Sequence, residues 1–349
     1  MSDLVEPSSI PVDAYFEYAL SLTSKEQKLI REFSKWLPNE IIDAHAHSNT
    51  KRQWKLIDDY YLSHLPGTFP WFEVSKHMKV NRILYPAIKV KMLLSPFTYR
   101  GTDHRTANNY IVRQATQNPQ IIPVACGISN DIDYTITILE TRNFHGLKMY
   151  SEYFPPSTHK ISQYFPNRVL RYCNEENFPI ILHLPQPVIR RREELVSITK
   201  KFPDLKIILA HMGLAYLPIE SLKKTFSLLS RYKKINLDTA MVTSAEVFKA
   251  AFEILGYHRI IYGTDQPLNL VRGRMYHNPT LGIRVATEYP YHWVDLKEQR
   301  KFSRYAKDAV LLHWEILLAL QKAIQMYGES KNIKNCIFRK NAKRVFGLS

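Results

Sequence analysis

The chain has 349 residues, 45% hydrophobic and 23% charged, proportions that allow a sizeable core and exclude a disordered or fibrous protein. Its formal net charge of +16 suits nucleic acid, a membrane surface or anionic small molecules, but the basic residues are spread along the chain. Only Arg190-Arg191-Arg192 and the tail from Lys331 to Arg344 are clustered, and no nucleic-acid-reading motif accompanies them. Cys126, Cys173 and Cys336 show no paired or C-x-x-C spacing, which argues against a disulfide scaffold or thiolate zinc site and fits a reducing compartment.

Met1-Ser2-Asp3-Leu4-Val5-Glu6-Pro7 places acids and a proline where a signal peptide needs basic residues and an apolar stretch. No apolar run is long enough to span a bilayer, so a soluble, cytoplasmic protein without a membrane partner is expected. Val12 to Leu37 is amphipathic and helix-like, which makes residues 1–40 an N-terminal helical extension and 41–349 the main domain.

That domain opens on Ile41-Ile42-Asp43-Ala44-His45-Ala46-His47, an apolar lead-in ending in two histidines. In a β-strand residues i and i+2 share a face, so His45 and His47 project together, with Asp43 one layer deeper. Further apolar runs follow at Arg82–Ala87, Ile121–Gly127, His145–Tyr150, Pro179–Leu184, Leu205–His211, Lys234–Thr239 and Arg259–Asp265, separated by polar helical stretches. Eight near-continuous Ile/Leu/Val runs with helical crossovers predict a (β/α)8 TIM barrel of the α/β class. A doubly wound open sheet is the competitor, without the Gly-rich phosphate loop of its nucleotide-binding form. Beyond Asp265 lies a loop rich in Arg, Tyr and Pro, then C-terminal helices over about 295–327 and 335–345.

Barrel active sites form at the C-terminal ends of the strands, where His45, His47, Lys148, His183, His211 and Asp265 all fall. A single histidine there is more simply a hydrogen-bonded core residue. Four strands ending in metal-competent groups are harder to explain that way.

The ordered set of strand-end His-x-His, one histidine after each of two later strands, and Gly263-Thr264-Asp265 at the eighth resembles the amidohydrolase superfamily. More narrowly it is similar to the amidohydrolase-related branch, which includes lactonases and aminocarboxymuconate-semialdehyde-type decarboxylases. The likeness runs from about Ile41 to the closing Lys340–Leu348 and leaves the first forty residues uncovered. It implies one divalent ion, Zn2+ foremost with Mn2+ and Fe2+ as alternatives, held by His45, His47, His183 and Asp265. Three imidazoles and a carboxylate suit zinc, and an open position leaves room for water. Asp265 is then placed to take the water's proton, and His211 to act as base, proton shuttle or polariser of a substrate oxygen. Lys148 sits where binuclear relatives carry a carbamylated lysine bridging a second ion; a plain ammonium that attracts an anionic substrate is the reading preferred here, against a lysine snorkelling outward.

Substrate-binding candidates on the strand-end loops are Arg52, Trp54, Tyr150, Gln186, Arg272 and Arg274, with Glu152 beside them. Arginine clasps carboxylates and aromatics stack on planar ligands, so a small, carboxylate-bearing substrate is expected. The chemistry is read as hydrolysis of a lactone, ester or amide, with non-oxidative decarboxylation of an unsaturated or aromatic acid as the alternative. A non-catalytic, nucleic-acid-associated barrel is a third reading, disfavoured by the complete ligand set. Related barrels are often homodimers, and the same is expected here.

Overall fold

The computed structural model describes residues 12–53, 71–97, 102–128, 131–150, 160–184, 186–214, 217–278, 282–288, 306–328 and 330–349. Eight parallel strands form the barrel: β1 (Glu40–His47), β2 (Lys89–Ser95), β3 (Ile121–Pro123, resumed after Val124 as Ala125–Cys126), β4 (Leu147–Tyr150), β5 (Ile180–His183), β6 (Ile207–Leu209), β7 (Ile235–Asp238) and β8 (Ile260–Ile261). Each pairs in parallel with the next. Just beyond β8 the chain returns to β1: Ala44 N donates to Tyr262 O at 2.9 Å, Asp265 N to His45 O at 2.7 Å and His47 N to Gln266 O at 2.8 Å. Those bonds close the cylinder, as a (β/α)8 barrel requires.

The second expected strand is misplaced. Arg82–Ala87 is the end of the helix Val74–Leu84 and the turn after it, with Val80 and Leu84 buried one helical turn apart. The actual strand, Lys89-Val90-Lys91-Met92-Leu93-Leu94-Ser95, opens on two lysines that hide its apolar character. The expected loop beyond Asp265 also differs, because Arg272–Asn278 and Gly282–Thr287 pair as an antiparallel hairpin with Val310–Leu311 at its edge. The helix Leu312–Tyr327 follows.

A β-bulge changes the aim of β1. Asp43 pairs with Met92 but Ala46 with Leu94, so three steps on β1 meet two on β2. Ile42 and Ala44 belong to the inner core with Leu93, Ile122, Ile181, Ile208 and Ile261, whereas Ile41 and Ala46 belong to the outer one. His45 and His47 therefore face inward after the bulge, and Asp43 faces outward rather than lying beneath them. There it accepts from Thr264 N at 3.0 Å and Thr264 Oγ1 at 2.5 Å, tying β1 to the last strand. Burial pushes its carboxyl up to about 7 despite those bonds. Gly263 makes this seam possible, since a Cβ there would stand 2.8 Å from His45 Cβ.

The barrel floor is plugged by the last helix, Asn341–Phe346, whose Ala342, Val345 and Phe346 enter the inner core. At the flank, Phe33 of the helix Ser24–Trp36 stacks on Trp314 with ring centres 5.9 Å apart. Glu26 of the same helix is fully buried, accepting from Leu311 N and from Arg272 Nη2, both at 2.9 Å.

Removing Arg272 strands a buried carboxylate, so Arg272→Ala should lower the unfolding free energy by about 3 kcal/mol, with a Glu26→Gln/Arg272→Met double variant recovering part of it; denaturant titration reads both. Gly263→Ala should cost about 1–3 kcal/mol by overpacking the seam, and an unchanged transition midpoint would show that the seam yields without strain.

Candidate metal centre

Inside the rim, His45 Nε2 lies 3.2 Å from His47 Nε2 and 3.3 Å from Asp265 Oδ1, and His47 Nε2 is 3.2 Å from the same oxygen. The outer nitrogen of each ring fixes its tautomer. His45 Nδ1 donates to Asp238 Oδ2 at 2.9 Å, and His47 Nδ1 donates toward Pro96 O at 3.3 Å with Ser95 Oγ at 3.0 Å. In the neutral rings both Nε2 atoms are then acceptors, directed at each other and at a carboxylate oxygen. Three acceptors at such separations repel unless a cation stands among them. Donors bound at about 2.0–2.1 Å to one ion stand about 3.3–3.4 Å apart in a tetrahedron and about 3.0 Å apart in an octahedron. The observed spacings lie between these values, so the donor set fits a divalent metal.

His211 completes a second trio: ligand atoms of His45, His211 and Asp265 all lie within 4.8 Å of one another. Its Nε2 is 3.9 Å from Asp265 Oδ2, while its Nδ1 donates to Ala240 O at 3.0 Å. The backbone here is strained, with φ of 54° at His211, 56° at Met212, 74° at Gly213 and 64° at Asp265. Non-glycine residues in this left-handed region cost about 1–3 kcal/mol each and persist only where surroundings hold them. Asp238 supplies that hold: its Oδ1 accepts from His211 N at 2.8 Å and Ala240 N at 3.2 Å. His183, at the end of β5, sets its ring 4.9 Å from that of His211.

The electrostatics agree with the geometry. Burial opposes ionisation of Asp265, but His45, His47 and His211 hold its carboxyl well below the usual range. Burial and Lys148 pull His45 down, yet Asp238 and Asp265 outweigh them and leave it above its ordinary value. In metal-free protein a proton on His45 would thus supply the positive charge this pocket demands. Burial lowers His47 to about 4 and takes His183 well below the usual value, keeping both rings neutral and able to coordinate. Lys148 is 1% exposed, so it does not snorkel; its Nζ lies 2.6 Å from His45 Nε2, and burial brings it down to about 8.

The expected substrate contacts are scattered. Arg52 is exposed in the short turn Lys51–Gln53, and Gln186 is half-buried in the bend after β5. Tyr150 ends β4, its backbone paired with His183. Trp54 and Glu152 lie outside the described residues. Arg272 is not at the rim but is buried on Glu26, and Arg274 Nη1 pairs with Glu315 Oε1 at 3.2 Å. The hairpin turns both guanidiniums toward flanking helices.

Other residues escaped the sequence reading. Asp238 closes a run already read as a strand, and its acidic end was the available signal. His77 Nε2 donates to His47 O at 2.9 Å and its Nδ1 meets Gln266 Nε2 at 2.8 Å, bracing both ends of the seam; nothing in the local sequence marks it. Asn49 is fully buried two residues past His47, and among the described residues its side-chain amide makes no hydrogen bond.

The sequence matches the amidohydrolase family over residues 42–348. An amidohydrolase from Burkholderia multivorans with bound zinc is similar in structure, at 11% identity and a TM-score of 0.58, covering 88% of this chain and 99% of that one. So is a probable 2-pyrone-4,6-dicarboxylic acid hydrolase from Acinetobacter baumannii, at 13% identity and TM-score 0.54, covering 89% and 100%. A dihydroxybenzoic acid decarboxylase from Polaromonas, holding manganese and the inhibitor 2-nitroresorcinol, reaches 16% and 0.56 over 89% and 97%. No curated protein matches the chain. At these identities the solved structures establish the barrel fold, while the family match spans most of the sequence. The chain belongs to the amidohydrolase family, whose members are enzymes.

Proposed function

We propose that the protein is a metal-dependent hydrolase that opens a lactone, ester or amide of a small, carboxylate-bearing substrate. The observation carrying this reading is the convergence of His45 Nε2, His47 Nε2 and Asp265 Oδ1 at 3.2–3.3 Å. His45, His47, His183 and Asp265 would hold the ion, for which zinc is our assignment from the donor types. When bound, it would polarise the carbonyl and lower the pKa of a water toward about 7.

The chain's own groups then divide the work. Asp265, kept ionised by the surrounding imidazoles, takes the proton of the attacking water. His211 Nε2, 3.9 Å from the other oxygen of Asp265, passes a proton on to the leaving group. Asp238 holds the ring of His45 and the backbone of His211 with its two oxygens. Lys148, with a pKa of about 8, is mostly cationic at neutral pH and draws an anionic substrate toward the centre. A carbamate on it would instead invite a second ion. Arg52, Trp54, Tyr150 and Gln186 stay as candidates for substrate recognition, joined by the Asn49 amide. Arg272 and Arg274 leave that group, being committed to Glu26 and Glu315.

The same residues suit a decarboxylase, in which a proton taken up from the substrate's acidic group or from water is delivered by His211 or Asp265 to carbon before CO2 departs, and the decarboxylase among the similar structures favours keeping this second reading. Metal analysis of the purified protein is expected to give one divalent ion per chain, lost in His183→Ala; full retention would remove His183 from the set. Asp238→Asn should weaken metal binding about 10–100-fold through loss of the Nδ1 partner, with the fold kept. Incubation with dicarboxylic lactones should yield ring-opened acids, whereas CO2 release from phenolic acids with lactones untouched would reverse the order of the two readings.

A further inference from the structure

Arg190-Arg191-Arg192 takes no part in the metal centre. It lies instead along a groove between the starts of the helices Ile161–Tyr164 and Asn167–Glu175 and the helix Arg192–Lys201, enclosing about 740 Å³. Five cations line it: Lys160, Arg190, Arg191, Arg192 and Lys201. Among the described residues, two carboxylates oppose them. Glu193 is 90% exposed and approached by Arg192 at no closer than 3.9 Å, so it neutralises little. Glu194 is held by one oxygen, Oε1, which accepts from Ser162 N at 3.0 Å and Ser162 Oγ at 2.8 Å.

Among the described residues, two polar atoms in this groove have no hydrogen-bond partner. Arg191 Nε and Glu194 Oε2 are both shielded from solvent and make no hydrogen bond. A buried donor or acceptor left unmade costs about 1–3 kcal/mol, so the pair specifies what is missing: an acceptor with negative charge beside Arg191, and a proton donor beside Glu194. The net excess of three positive charges matches a dianionic head better than a single carboxylate. The volume falls within the range of about 300–1,000 Å³ typical of small-molecule sites, and the cations gather in a concavity rather than along a stripe, as a nucleic-acid backbone would need. Phe202 and Ile198 supply an apolar wall for the carbon frame.

We propose that this groove binds a small phosphate monoester that also carries a hydroxyl group, with the phosphate on Arg191 and its neighbours and the hydroxyl donating to Glu194 Oε2. The site is separate from the metal centre and does not depend on the activity assigned to it.

Titration calorimetry of the full chain with inorganic phosphate and with glycerol 3-phosphate tests this. Both should bind, glycerol 3-phosphate about tenfold more tightly because only it offers the hydroxyl, and both should weaken with added salt. Arg191→Gln should weaken both at least tenfold, with Lys201→Gln as a second variant in the same direction. Glu194→Gln should tighten inorganic phosphate and narrow the gap between the probes. Binding should survive chelator treatment. Absence of heat with either probe, equal affinity in Arg191→Gln, or loss of binding on chelation would each overturn the proposal. Displacement of glycerol 3-phosphate by a short oligonucleotide that binds more tightly would assign the groove to nucleic acid instead.

Discussion

The joint between the first strand and the segment after the last is the constraint on which the site rests. Three backbone hydrogen bonds cross it, from Ala44, His47 and Asp265, and the Asp43 carboxylate adds two more to Thr264. His45 and His47 stand on one side of that joint and Asp265 on the other. Their relative positions are therefore backbone geometry, set before any side-chain rotamer matters. The bulge in β1 turns the histidines inward, Gly263 gives His45 room, and His77 with Gln266 braces the far end. Precision of this kind, with supporting groups locked by packing, is what a coordinating set needs.

Around that frame the charges are unbalanced in a way that favours a bound cation. Asp238 and Asp265 are both kept ionised although buried, and the rings of His47, His183 and His211 are all pushed toward neutrality. Two fully desolvated carboxylates need compensation. Lys148 and a proton on His45 can supply part of it, and both compete for the same Nε2 lone pair that a metal would use. A cation bound at that nitrogen would therefore have to displace the proton or Lys148.

Much of this was legible in the sequence. Seven of the eight apolar runs fall on strands, because a parallel barrel strand is buried on both faces and writes itself as a block of Ile, Leu and Val. The second strand begins Lys89-Val90-Lys91, which masks its apolar character, whereas the apolar run Arg82–Ala87 is a helix end and turn with too few apolar residues to reveal a period. His45, His47, His211 and Asp265 stand out in the sequence because strand ends are where barrel chemistry sits, and the structure brings them together. Asp43 was placed on the wrong face, since a bulge leaves no mark in a seven-residue pattern. Asp238 and His77 leave little mark in the sequence for a related reason: their contacts with His45, His47 and Gln266 come from distant segments. Arg272 and Arg274 show the opposite error, as arginines downstream of a catalytic strand look like substrate anchors until a hairpin turns them toward Glu26 and Glu315.

The joint between β1 and the last strand also bears on how the molecule comes to exist. Asp43 and Thr264 meet across 221 positions of sequence, so the contact that closes the barrel is far from local. Contacts of such separation form late and slowly, because loop closure must precede any reward from them. A chain whose cylinder is not yet closed accordingly lacks the convergence of His45, His47 and Asp265.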